Sequence, residues 1–166
     1  MTSRAGTAPS RRGHRQTGWF GPPPSRATVA RLGRYLGALA LLGVGVDHIE
    51  QYYVDFYAEI PTIGVLFVLN FASATLVTLG LLAPVERFTG RRAPAVLALL
   101  ALGGIGLAAG SLAGLLVSEN SGLFGFTEQG YREAIVFSIV LEVATIGLLA
   151  LFVAANGLGI RPRDGG

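Results

Sequence analysis

The chain has no cysteine, and although it holds 13 basic residues none of them is lysine; there are one methionine, one tryptophan and two histidines in 166 residues. Without cysteine there is no disulfide framework, no CxxC redox pair, no thiol nucleophile and no thiolate-held zinc or iron–sulfur centre. Histidine is nearly as scarce. A transmembrane b-type haem takes two axial histidines at membrane depth, and here His14 lies in the N-terminal tail, which leaves His48 alone. No Walker loop, no GxGxxG after a strand and no Ser/His/Asp arrangement is present. The sequence therefore points to no enzymatic centre, no cofactor and no resident metal. Charge is sparse as well. Charged residues make up 14% of the chain against 51% apolar ones, and the mean hydropathy is +0.56. An ordinary soluble domain is excluded, because the apolar residues are gathered into a few long blocks, as in a multi-pass membrane protein.

Those blocks are Leu32–Tyr52, Pro61–Leu82, Ala93–Val117 and Tyr131–Ala155. Each is close to the ~20 residues that cross ~30 Å of hydrocarbon as a helix. Backbone groups in lipid must be paired within the segment unless a barrel closes, and these runs lack the two-residue alternation of barrel strands. The expected fold is all-α, a bundle of four transmembrane helices over residues 29–157. Pro61 and Pro94 suit first-turn positions, while Pro84 and the Gly157/Gly159 pair end the second and fourth helices. Residues 1–28, rich in Arg, Ser, Gly and Pro, have too few apolar side chains to offset backbone ordering and read as a disordered tail; residues 158–166 form a second short tail. The Pro22–Pro24 run replaces the compact apolar core of a signal peptide, so the first span is expected to act as an uncleaved anchor.

The net charge of +3 and pI near 9.8 do not indicate a nucleic-acid surface, because the arginines flank apolar spans and do not form a stripe with stacking aromatics. Seven precede the first block, Arg87, Arg91 and Arg92 lie between the second and third, and Arg161 and Arg163 follow the fourth; only Arg132 falls on the other side. The positive-inside rule then places both termini in the cytoplasm and the protein in the cell membrane. The opposite face carries Asp47, Glu50, Asp55, Glu59, Glu119 and Glu128, with Tyr52, Tyr53, Phe56, Tyr57, Phe124 and Phe126 as an aromatic belt. The echo of Glu50-Gln51-Tyr52 in Glu128-Gln129-Gly130-Tyr131 is too short to establish a duplicated hairpin.

Three features stand out within the spans. Gly106, Gly110 and Gly114 recur every four residues and are reinforced by Gly103 and Ser111, which gives a smooth helix face for close packing. Packing inside the bundle is the reading preferred over a homodimer seam. Gly33/Gly37 and Gly43/Gly45 repeat the idea in the first span. Glu142 lies near the middle of the fourth span, where an ionised carboxylate costs a few kcal/mol, so it must face protein. Ser138 and Thr145 lie one turn to either side of it, and Asn70 reaches a similar depth from the second span, within hydrogen-bonding expectation. This group is either a proton- or cation-linked site or an uncharged Glu142–Asn70 pair that holds helices together. The third feature is Asp47-His48-Ile49-Glu50, a switchable imidazole among carboxylates at the outer end of the first span. Asp47 and His48 point ~100° apart on a helix, so an ion site there requires Glu128 or Glu133 from elsewhere. An interfacial histidine capped by carboxylates is the plainer outcome, and a Glu128–Arg132 helix pair explains Arg132.

At Val46-Asp47-His48-Ile49-Glu50, and at Ile60-Pro61-Thr62-Ile63-Gly64-Val65-Leu66-Phe67-Val68-Leu69-Asn70, the chain resembles small, mostly uncharacterised four-helix membrane proteins of high-GC actinobacteria. More distantly it is similar to the DoxX-like proteins. The resemblance spans residues 30–155 and implies a fold and no reaction; the DoxX-like analogy is all that supports a quinone-linked redox role. Arginine without lysine fits a GC-rich genome. Two functions follow. One is a structural or accessory membrane component whose partners are the lipid bilayer and, through the glycine faces, a second copy or a larger complex. The other is a small proton- or cation-linked transporter that uses Glu142.

Overall fold

Ser25 opens the first helix by accepting a hydrogen bond from the Thr28 amide at 3.2 Å, so that one of the unpaired N–H groups of the first turn is satisfied. Helix α1 then runs Arg26–Val54, starting before the apolar block because Arg26–Arg31 are compatible with helix though too polar for lipid. In the computed structural model, which describes residues 23–55, 57–124 and 133–157, it is followed by a 3₁₀ turn at Tyr57–Glu59 and by α2, Pro61–Leu82. Pro61 sits in the first turn of α2, where its missing N–H costs nothing. A short helix α3, Val85–Thr89, and a turn at Gly90–Arg92 lead into α4, Ala93–Ser121. Helix α5 spans Glu133–Asn156 and stops at Gly157, which adopts φ 55°. The regular structure of the described residues is helical. Four helices are long and apolar enough to cross a membrane, the make-up of a multi-pass membrane protein.

Successive spans alternate in direction around a ring in which α1 packs most heavily on α5 and then on α2, α4 closes against α5, and of the neighbouring pairs α2 and α4 touch least. Glycines of α1 make the closest approach. A Cβ at Gly33 would lie 2.8 Å from the Leu148 carbonyl oxygen and 2.9 Å from the Phe152 nitrogen, both backbone atoms of α5. Gly37 is pressed against Leu149 and Gly45 against Ala74. The small-residue idea therefore holds for α1. In the stripe of α4 the described residues make no such close approach. A Cβ at Gly106 or Gly110 would meet nothing within 4 Å among the described residues, and one at Gly114 only the tip of Leu123 at 3.8 Å. Spacing alone cannot tell a face that a helix covers from one that borders a gap.

The half of the bundle nearest the chain ends is dry and close-packed, around Ala38, Leu81, Leu97, Ala101, Leu149 and Phe152. Arg34 borders this half. Its Nε donates to the Leu81 carbonyl at 2.6 Å and its Nη2 to the Ala83 carbonyl at 2.8 Å, while Nη1 pairs with Glu86 at 2.6 Å. One guanidinium thus satisfies the last carbonyls of α2 and ties α1 to α3. Around the outside, Leu36, Leu39, Leu76, Leu79, Leu99 and Val140 stand exposed. Lipid is the solvent that suits such a surface.

Candidate functional site

The opposite half is built differently, because α2 and α4 stand apart there and the uncovered glycines of α4 border a cavity of about 320 Å³. Every span contributes to its wall: His48 and Gln51 from α1, Phe67 and Asn70 from α2, Ser111 from α4, and Ser138 and Glu142 from α5. The remaining lining is mostly apolar, with Ile63, Leu66, Leu107, Leu115 and Ile135, joined by Tyr57 and Ser118. A mostly apolar concavity of this size with a few convergent polar groups has the form of a small-molecule site.

Glu142 is 2% exposed and hydrogen-bonds with Ser111, one helix away. Ser111 Oγ is in turn 2.8 Å from His48 Nε2, and His48 Nδ1 is 2.8 Å from the Val44 carbonyl. The carbonyl only accepts, so Nδ1 carries a proton. With a neutral imidazole, Ser111 then donates to Nε2 and a protonated Glu142 donates to Ser111. Moving both protons one step along the chain gives an imidazolium and a carboxylate with the same heavy-atom contacts. Ser111 thus stands between Glu142 and His48, in hydrogen-bonding contact with both.

Three buried side-chain oxygens among the described residues have no hydrogen-bond partner, and two of them, Glu142 Oε2 and Asn70 Oδ1, belong to residues of this wall. The Glu142–Asn70 hydrogen bond expected from their similar depth is replaced by the bond to Ser111. Ser138 lines the cavity and hydrogen-bonds with Asp47. Thr145 turns away to the Leu141 carbonyl at 2.8 Å and is not part of the wall. Gln51 donates to Asp47 at 2.7 Å, so that Asp47 is held on the α5 side of α1 while His48 faces the cavity.

The outer-face ion site is divided by this arrangement. Asp47, Glu50 and Glu133 border a shallow groove between α1 and α5, but His48 points into the bundle. Among the described residues no three His, Asp or Glu side chains gather as a metal-ligand set. Asp47 and His48 are both buried within the bundle, and α1 continues for nearly two further turns beyond them. Glu128 and the Glu128–Arg132 pair lie outside the described residues, as do Phe56 and Phe126 of the aromatic belt. Tyr57 leaves that belt: it is buried, with its ring 4.7 Å from Phe67, which is itself 5.0 Å from the His48 ring. Tyr53 and Phe124 remain exposed as expected.

Ser111 is the residue that the sequence reading passes over, since a serine between glycines looks like one more small packing side chain. Its only signal is its place on the same stripe as Gly110 and Gly114. Comparison of the chain with protein-family models, with curated proteins and with solved structures finds no match.

Proposed function

We propose that this protein is a small proton- or cation-linked carrier of the cell membrane, with both termini in the cytoplasm and Glu142 as its working group. The observation that carries the reading is the position of Glu142 in the wall of a cavity, linked through Ser111 to His48. A carboxyl that served only to hold helices together would be fully paired within a packed seam, whereas Glu142, a residue of the cavity wall, keeps one buried oxygen without a partner among the described residues. The arginine distribution supports the orientation, and the resemblance to small four-helix actinobacterial proteins supports the membrane setting. A second reading, an accessory component of a larger membrane complex, draws on the glycines of α4 that no described residue covers.

Proteoliposomes with an internal pH dye and an acidic lumen separate the two. Sodium, potassium and a set of permanently charged organic cations are added outside in turn. At least one is expected to raise the internal pH with the parent protein and none with Glu142→Gln, whose melting in detergent stays close to that of the parent. If no cation moves protons through the parent protein beyond empty vesicles, the carrier reading is abandoned.

A further inference from the structure

The charge balance around the cavity is one-sided. Glu142 lies in its wall, and Asp47 on α1 is close enough to Glu142 to interact with it electrostatically. No arginine is among the described lining residues. The one buried arginine among the described residues, Arg34, lies 14 positions before His48 on α1, roughly 20 Å along the helix at 1.5 Å per residue, and is committed to Glu86 and the end of α2. Facing Glu142 from the packed helices are Asp47 and His48 on α1, uncharged Asn70 on α2 and Ser111 on α4. Both unpartnered oxygens, Glu142 Oε2 and Asn70 Oδ1, are acceptors when the carboxyl is ionised. Rotation of a terminal carboxyl or amide group is soft, so each oxygen is readily presented to the cavity. Beside them the ring of Phe67 and the aliphatic side chains of Leu107 and Leu115 offer room for an apolar body.

From this we infer that the cavity binds a small organic ammonium ion with an apolar or aromatic body, its N–H groups donating to Glu142 and Asn70 and its body lying against Phe67. The inference rests on the carrier reading only for the role of the site and names the class of its ligand. Because a low-dielectric wall disfavours a bare carboxylate, the proton and the ammonium compete for Glu142. Binding to the protonated form releases that proton to water and leaves a carboxylate–ammonium pair. Anions and acids are disfavoured by the same field.

Benzylamine, cationic at neutral pH, and its neutral analogue benzyl alcohol are the probes, titrated calorimetrically into the full chain in detergent. The parent protein is expected to bind benzylamine more tightly than benzyl alcohol and to release up to about one proton per amine bound, seen as a dependence of the heat on buffer ionisation. Glu142→Gln should weaken benzylamine by roughly 30-fold or more while leaving benzyl alcohol within a few-fold, as expected for the loss of one partner of a buried charge pair. Gly110→Leu, which adds bulk at the cavity wall where a Cβ would meet nothing within 4 Å among the described residues, should abolish both. The inference is overturned if benzylamine does not bind, if the alcohol binds as tightly as the amine, or if either variant leaves amine affinity unchanged. Amine binding without transport in vesicles would remove the carrier reading and keep this site; transport of an inorganic cation without amine affinity would do the reverse.

Discussion

Arg34 shows how much one side chain can do in this bundle, since it serves two carbonyls and one carboxylate at once. Arg34→Ala leaves the Leu81 carbonyl without its donor, while the Ala83 carbonyl still accepts from the Val85 amide at 2.8 Å, and is expected to destabilise by about 1–3 kcal/mol, the cost of one buried group left unpaired. Glu86 is exposed on its far side, so Glu86→Gln should cost no more than about 1 kcal/mol. Thermal unfolding of the two variants in detergent checks the contrast, and equal losses would reject the capping role. In the sequence Arg34 is indistinguishable from its neighbours in the basic N-terminal segment, because its partners lie some 50 residues away. Glu142 is legible for the opposite reason: a carboxylate in an apolar run has no inexpensive place except against protein. Its partner is not legible, because choosing Ser111 over Asn70 requires knowing which helices are neighbours.

At the scale of the helix, two kinds of glycine carry the same spacing and opposite consequences. Gly33→Ala drives a methyl group into α5 backbone that cannot step aside, and the expected loss is about 1–3 kcal/mol. Gly106→Ala meets nothing, and with alanine the better helix former the change should stay within about 1 kcal/mol of neutral or stabilise slightly. Melting temperatures measured side by side decide this, and a Gly106→Ala loss as large as that of Gly33→Ala would place an unseen contact on α4. The helices themselves are readable from block length and from Pro61, Pro94 and Gly157. The start of α1 is less so, because its first turn is polar and only the Ser25 cap marks it. Which glycine face is covered depends on crossing geometry, and that information is not local in sequence.

Over the whole molecule, the two halves of the bundle divide the work: close-packed apolar side chains where α1 begins and α5 ends, and polar groups around open space in the other half. The gathering of His48, Ser111 and Glu142 from three spans is not visible in any one of them, since it arises only when the ring of helices closes. Reporter fusions at both ends and after Thr89 are expected to register on the cytoplasmic side, and an exported signal from any of them would invert the proposed orientation. The Arg34 clasp also bears on how such a chain enters the bilayer. A nascent polypeptide that has emerged only as far as Val54 carries a guanidinium whose acceptors have not yet been synthesised, so the first span has reason to wait at the insertion machinery until Leu81 to Glu86 arrive. Insertion hairpin by hairpin is the expected outcome: a reporter fused to a chain cut after Val54 should show mixed topology where one cut after Thr89 shows a single one.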